Sequence, residues 1–150
     1  MIVLASDHAA IAFKAEVLRL LETMEKPHRD LGPTQAASVD YPDFAHELVE
    51  EILAGRAERG ILMCGTGIGM SMAANRHAGI RAALCHDAYT AEMARRHNDA
   101  NVLCLGARVL GGGVAAQIVE VFLATPFEGG RHQRRVEKIE PDPGDRQEDS

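Results

Sequence analysis

Short apolar runs alternate along the chain with longer segments in which apolar residues recur at helical spacing. The apolar runs predict buried strands because they are continuously apolar rather than alternating with polar residues, and they cover 2–5, 60–64, 80–85 and 102–105. A further short strand is expected at 28–31, just after Pro27. Spacing of three and four residues predicts helices at 8–26, 42–55, 70–76 and 87–97, and another after the glycines at 111–113. Parallel strands need helical crossovers, so the alternation predicts an α/β fold with a five-stranded parallel sheet and helices on both faces.

The chain has 150 residues, which is enough for one domain and too few for two of ordinary size. We expect the domain to span residues 1–140 and residues 141–150 to form a disordered acidic tail. Residues 127–140 are polar and are expected to add little to the core. A short C-terminal helix there is therefore expected to reach another surface, such as a second subunit.

Composition argues against several classes of partner. The formal net charge is −6, aromatic residues are 4% of the chain and Trp is absent, which argues against nucleic-acid binding by a basic surface or by base stacking. We expect no membrane span and no secretory signal, because no apolar run is long enough and the first residues lack a basic region. Three widely spaced cysteines indicate reduced thiols and a cytoplasmic protein.

The strongest local motif is the turn Cys64-Gly65-Thr66-Gly67-Ile68-Gly69, between the strand at 60–64 and the next helix. Ligands of open α/β sheets bind outside the carboxyl ends of the strands. Alternate glycines leave backbone amides open to an oxygen-rich ligand, and the start of the following helix favours a thiolate. The alternative is a tight turn around a buried, inert cysteine. The three glycines favour a functional turn with a base and an anion site.

Two nucleotide motifs and a metal motif are excluded. A dinucleotide fingerprint would need a glycine where Met70 stands, and a phosphate-binding P-loop needs a Gly-Lys-Ser/Thr tripeptide that does not occur. The cysteines and histidines also lack the paired spacing of metal ligands.

Other candidates follow strand or helix ends. Asp7-His8 could act on a hydroxyl group, although a helix cap with a solvent-facing histidine is the alternative. His97-Asn98 closes the helix before the last strand and reaches the same edge only if its loop extends over the sheet, the alternative being a polar helix C-terminus. Arg131 and Arg135 share one helix face and suit a phosphate, the alternative being a solvated basic turn. The remaining histidines are read as ordinary surface or structural residues: His28, His46, His77 and His86.

Five segments together are specific for one family. They are SDHAAIAFK (6–14), DYPDFA (40–45), ILMCGTGIGMSMAANRHAGIRAALC (61–85), RRHNDANVLCLGARV (95–109) and EGGRHQRRVEKI (128–139). The sequence resembles the ribose/galactose sugar-phosphate isomerase family, and its type B ribose-5-phosphate isomerases in particular. The resemblance implies a Rossmann-like α/β/α sandwich and a homodimer whose active sites lie between subunits, with the C-terminal arginines reaching the neighbour's substrate. It also implies an aldose–ketose isomerisation through an enediolate, without a metal or organic cofactor.

The resemblance assigns roles by position. Cys64 is implied to move a proton between C1 and C2, while Thr66, Asn98 and the amides around the glycines stabilise the enediolate. His97 is implied to open the furanose ring with help from Asp7. The implied contacts to the phosphate and the rest of the sugar come from a larger set: His8, Tyr41, Gly65, Gly67, Gly69, Arg108, Arg131, His132 and Arg135. A second branch of the family uses a glutamate six residues beyond the cysteine, where this chain has Met70.

Three functions remain open on the sequence. The first is the interconversion of ribose 5-phosphate and ribulose 5-phosphate, or the same reaction on allose 6-phosphate, galactose 6-phosphate or a tetrose phosphate. The second is a phosphosugar-binding module without catalysis. The third, a nucleotide-dependent enzyme, is disfavoured by Met70.

Overall fold

The computed structural model describes residues 1–141 and contains a five-stranded parallel sheet. Its strands are β1 (Ile2–Ser6), β2 (His28–Asp30), β3 (Arg59–Cys64), β4 (Ala82–Leu84) and β5 (Val102–Gly106). They lie in the order β2-β1-β3-β5-β4, and every neighbouring pair is parallel. The predicted sheet is confirmed, including the short second strand.

Helices cover both faces of the sheet. They are α1 (Ile11–Thr23), α2 (Tyr41–Leu53), α3 (Ile68–Ala74), α4 (Ala88–Arg96), α5 (Gly112–Ala124) and α6 (Arg131–Ile139). Residues alternate along β1, so that Leu4 packs in the core against α1 and α5 while Val3 packs in the core against α2 and α3. The predicted three-layer α/β/α sandwich is confirmed.

Predicted helix boundaries differ from the observed ones by up to three residues, and local backbone geometry explains two of these differences. Helix α1 ends at Thr23 rather than near Lys26, because Glu25 has a φ of +54° and the Lys26 N–H turns back to the Leu21 carbonyl. Helix α3 begins at Ile68 rather than Met70, since the glycine turn uses fewer residues than expected.

The C-terminal segment contributes more to its own chain than the sequence indicates. His132 and Val136 of α6 are both buried. The Glu140 carboxylate accepts hydrogen bonds from Arg81 at 2.6 Å and from the Gly79 N–H at 2.7 Å. As expected, none of the residues 127–140 belongs to the two core clusters that flank the sheet, and much of the attachment is polar. Its reach to a partner subunit stays a prediction, and of the predicted tail at 141–150 all but Pro141 lies outside the described residues.

None of the helices within residues 1–141 combines the length and apolar character needed to cross a bilayer.

Candidate active site

Adjacent strand ends bring several of the predicted site residues together. Asp7 follows β1, Cys64 ends β3 and Arg108 follows β5, and these three strands are neighbours in the sheet. The Asp7 N–H donates to the Met63 carbonyl at 3.0 Å, and the Arg108 N–H donates to the Gly65 carbonyl at 3.0 Å. Main-chain hydrogen bonds thus fix all three at the carboxyl edge of the sheet.

The glycine turn holds the Cys64 sulfur against a backbone amide. The Gly67 N–H donates to Cys64 Sγ at 3.1 Å, so the turn fixes the position of the sulfur. Gly67 has a φ of +80°, and a Cβ there would lie 2.6 Å from Leu84 Cδ1, so the turn requires glycine. The Ile68 N–H donates to Thr66 Oγ1 at 3.2 Å and starts α3.

Cys64 differs from the other two cysteines. Cys64 is 5% exposed at the sheet edge, whereas Cys85 and Cys104 are 1% and 0% exposed. Burial raises the pKa of the Cys85 thiol to about 11 and raises the pKa of the Cys104 thiol as well. Of the three, Cys64 is the one that ends a strand at the carboxyl edge and accepts an N–H of the glycine turn.

Two side chains lie directly on the glycine turn. A Cβ at Gly65 would lie 3.3 Å from Arg108 Nη1, and a Cβ at Gly69 would lie 2.6 Å from Tyr41 Cζ. The absence of side chains at these two positions therefore lets a guanidinium and a phenol approach the backbone amides. Tyr41 is 40% exposed, so one side of its ring is open.

Asp7 and His8 are oriented by backbone donors. Asp7 Oδ1 accepts the Ala9 N–H at 2.9 Å and caps the 3-10 turn His8–Ala10, so the cap expected from the sequence is confirmed. The Val39 N–H donates to His8 Nδ1 at 3.2 Å. A neutral His8 imidazole with Nδ1 as acceptor carries its proton on Nε2. We call this set the carboxyl-edge group: Asp7, His8, Tyr41, Cys64, Gly65, Thr66, Gly67, Gly69 and Arg108.

The remaining predicted site residues lie at the opposite edge of the sheet. The Asn101 N–H donates to the Arg81 carbonyl and the Gly60 N–H donates to the Asn101 carbonyl, both at 3.0 Å, so Asn101 lies where β3, β4 and β5 begin. His97-Asn98 immediately precedes this point. Its loop does not extend over the sheet, so the condition that would bring it beside Cys64 in one chain is not met.

Helix α6 starts next to His97. The His97 and His132 rings stack with centroids 4.2 Å apart and planes 13° apart. The Glu128 N–H donates to the Arg96 carbonyl at 3.1 Å, which holds the start of α6 against the end of α4. Arg131 and Arg135 are exposed on α6. We call this set the amino-edge group: His97, Asn98, Arg131, His132 and Arg135.

His132 is held neutral. Burial, together with the nearby His97, lowers the pKa of its imidazole. Its Nε2 is buried, has no hydrogen-bond partner among residues 1–141 and lies 3.8 Å from Glu128 Oε1. Ligand atoms of His97, Glu128 and His132 lie within 4.8 Å of one another. Nearly parallel rings direct their in-plane lone pairs along parallel lines, however, so both histidines could bind one metal ion only after a ring rotates.

Sequence reasoning missed several residues that support the site. The Arg81 Nε donates to the Asn98 carbonyl at 3.0 Å, and Arg81 also borders a cavity of about 330 Å³ that Asn98, His77 and Ile139 help to line. His46 Nδ1 and His77 Nε2 are 2.7 Å apart, a contact that the sequence did not indicate. These contacts join distant parts of the chain, and no local motif marks them.

Comparisons with known proteins agree on one family. The family model described as Ribose/Galactose Isomerase matches residues 2–139. Ribose-5-phosphate isomerase B of Escherichia coli is 43% identical over 133 residues, which are 89% of either chain. The crystal structure of a ribose 5-phosphate isomerase from Thermotoga maritima is 51% identical, has a TM-score of 0.91, and is matched over 93% of this chain and 96% of that one.

The chain belongs to the ribose/galactose isomerase family. The predictions of the family, the fold and an isomerase are thereby confirmed. A type B ribose 5-phosphate isomerase of Trypanosoma brucei has the same fold, with a TM-score of 0.89 at 46% identity over 92% of this chain and 95% of that one. A relative from Bacillus subtilis, 45% identical over 92% of this chain and 93% of its own, carries the broader name of sugar phosphate isomerase. The names of the relatives in this isomerase family therefore agree on the reaction class and differ in how far they specify a substrate.

Proposed function

We propose that this chain interconverts ribose 5-phosphate and ribulose 5-phosphate through an enediolate, with Cys64 as the base. The observation that carries the proposal is the Cys64 sulfur at the carboxyl edge, accepting the Gly67 N–H at 3.1 Å. The relatives named ribose-5-phosphate isomerase support the choice of sugar. Met70 stands where the family's other branch has its glutamate, and a thioether cannot accept a proton at neutral pH.

The Cys64 thiolate removes the proton from C2 of the open-chain aldose, and the C1–C2 double bond of the enediolate forms. The proton of the 2-hydroxyl group then moves to O1. The thiol returns its proton to C1, C2 becomes the ketone carbon and the thiolate is regenerated. Abstraction beside a carbonyl needs a base of suitable basicity and donors for the charge that develops on oxygen.

Backbone amides of the glycine turn and the Thr66 hydroxyl are proposed to stabilise the enediolate. Gly65 and Gly69 have no side chain over their amides, and the neighbouring Arg108 and Tyr41 leave a polar rim around the turn. Preorganised donors of this kind typically contribute about 10²–10³ in rate for each donor.

The complete site is proposed to form between two copies of the chain. The carboxyl-edge group holds the base, while the amino-edge group holds the residues proposed for ring opening and for part of the phosphate site. His97 would open the furanose ring with help from Asp7, and Asn98 would add a donor to the enediolate. His8, Arg108, Arg131 and Arg135 would bind the phosphate, with Tyr41 and His132 beside the sugar. In a homodimer, the carboxyl edge of each copy could face the amino edge of the other. Each of the two sites would then contain one carboxyl-edge group and one amino-edge group.

We propose no metal ion or organic cofactor for this chemistry, because side chains are proposed for ring opening, for removal of the C2 proton and for its return to C1. The three unpaired cysteines suit a reducing compartment, which is why we also propose a cytoplasmic location.

An isomerase assay with a panel of aldose phosphates tests the proposal. We expect kcat/KM to be higher with ribose 5-phosphate than with allose 6-phosphate, galactose 6-phosphate or a tetrose phosphate. Cys64→Ala should lower kcat by about 10³ or more, whereas Cys85→Ala should retain activity per folded molecule. Near-native kcat in Cys64→Ala would rule out Cys64 as the base. A preference for another sugar would change only the proposed substrate.

A further inference from the structure

Lys14 carries a buried charge that the proposed mechanism does not use. It lies in the first turn of α1 with 2% of its side chain exposed. Its Nζ is 2.7 Å from Asp30 Oδ1 and donates to the Pro33 carbonyl at 2.8 Å. Burial of an ammonium carries a large solvation penalty, and apolar side chains often stabilise such positions equally well. The presence of a buried ammonium is therefore explained better by the groups that it binds than by the packing of its side chain.

The ammonium holds one end of the segment between β2 and α2, residues 31–40, which contains neither helix nor strand. We call this segment the β2–α2 loop. The Gly32 N–H donates to the same Asp30 Oδ1 at 2.8 Å, so Lys14 and Asp30 together fix the start of the loop. At its other end, the Val39 N–H donates to His8 Nδ1 at 3.2 Å.

The same loop also leads directly into Tyr41. Tyr41 begins α2, and its ring lies over the backbone of Gly69. The loop position thus affects two residues of the carboxyl-edge group. It determines which nitrogen of a neutral His8 carries the proton, and it sets the distance of the phenol from the glycine turn.

We infer that Lys14 is a positioning residue that fixes the β2–α2 loop and thereby orients His8 and Tyr41 for the substrate. Its contacts are made to the loop and to Asp30, at the opposite end of the loop from His8. The inference rests on the proposed function for its effect on substrate binding. Its effect on the His8 tautomer does not depend on that function.

Three variants test the inference. Lys14→Met removes the ammonium and keeps an unbranched side chain. The double variant Lys14→Met/Asp30→Asn also removes the carboxylate charge that the first change leaves without a partner. Lys26→Met removes an exposed lysine and is the matched control. Each purified protein is compared by steady-state kinetics with ribose 5-phosphate, by thermal unfolding and by ¹⁵N NMR of the histidine rings, with His8→Gln used to assign the His8 signals.

We expect both Lys14 variants to raise KM about tenfold while kcat changes by less than about threefold, because binding groups are displaced and the base is not. We also expect His8 to lose its uniform Nε2–H tautomer in these variants and to keep it in Lys26→Met. A lower Tm with unchanged KM and an unchanged His8 tautomer would show a purely structural role and overturn the inference. If wild-type protein fails to isomerise ribose 5-phosphate, the proposed function fails, and the His8 tautomer still decides the role of Lys14.

Discussion

The carboxyl-edge group and the amino-edge group are held by different kinds of contact. Main-chain hydrogen bonds fix the first, such as the Gly67 N–H to Cys64 Sγ and the Arg108 N–H to the Gly65 carbonyl. In the second group, guanidinium side chains hold the loop that follows α4. Arg81 donates to the Asn98 carbonyl at 3.0 Å, and the buried Arg95 donates to the Ala100 carbonyl at 2.6 Å. Within the first group the turn at 64–69 is thus encoded by a short motif, whereas the second group depends on contacts between distant segments.

The two groups also differ in chemical content. The carboxyl-edge group has a candidate base and candidate donors for an oxyanion, whereas the amino-edge group has paired imidazoles and exposed arginines. Each lacks what the other supplies for isomerising a cyclic sugar phosphate. This complementarity across opposite edges is the physical reason for proposing that two copies of the chain share each site.

The largest effect should follow the loss of His97, the main catalytic candidate of the amino-edge group. His97→Gln is expected to lower kcat/KM for ribose 5-phosphate by about 10²–10³, because general acid–base catalysis of ring opening is lost. His86→Gln changes an exposed histidine after β4 and should keep kcat/KM within about twofold. Steady-state kinetics of both variants measure this, and a His97→Gln enzyme with more than half of native kcat/KM would contradict the role of the amino-edge group.

Thiol labelling should separate Cys64 from the two cysteines in the core. With a pKa of about 11, Cys85 is ionised in about one molecule in a thousand at pH 8. Cys104 is fully buried and its pKa is raised. We expect iodoacetamide to alkylate Cys64 at least about a hundred times faster than either, with loss of activity in parallel. Peptide mass spectrometry over time measures the three rates; faster labelling of Cys85 or Cys104 would argue against a reactive Cys64.

Replacing a glycine by alanine should lower activity on the glycine turn but not in α5. In Gly69→Ala the new Cβ would lie 2.6 Å from Tyr41 Cζ, so the exposed phenol must move away from the turn, and we expect kcat/KM to fall about tenfold. Gly113→Ala meets no atom within 4 Å and should gain up to about 1 kcal/mol. Chemical denaturation and kinetics compare the two, and equal effects would mean that Tyr41 does not constrain the turn.

The smallest effect should come from the protonation of His132. Since its pKa is lowered in the folded protein, the unfolded chain binds the proton more readily. The stability contributed by neutral His132 is therefore present above the unfolded value near 6.5 and is lost as pH falls below it. We expect the Tm of wild type to fall more between pH 7.5 and 5.5 than that of His132→Gln. Parallel curves would show that the stacked pair does not favour the neutral form.

The sheet and the glycine turn could be predicted from the sequence because their signals are local. Continuous apolar runs mark the strands, and alternate glycines after Cys64 mark the turn. The placement of His97 could not be predicted, since it depends on how far a loop extends. The roles of Lys14 and Arg81 could not be predicted either, because their partners are distant in sequence: Lys14 bonds Pro33, and Arg81 bonds Glu140.

Mixed dimers test the shared site most directly. Cys64→Ala and His97→Gln subunits, each nearly inactive alone, are co-expressed with different tags, and the mixed dimer is purified and assayed with ribose 5-phosphate. If each site combines Cys64 of one copy with His97 of the other, one of the two sites is intact and about half of wild-type activity per dimer returns. If the mixed dimer is as inactive as its parents, base and ring-opening histidine act within one chain, and the account is contradicted.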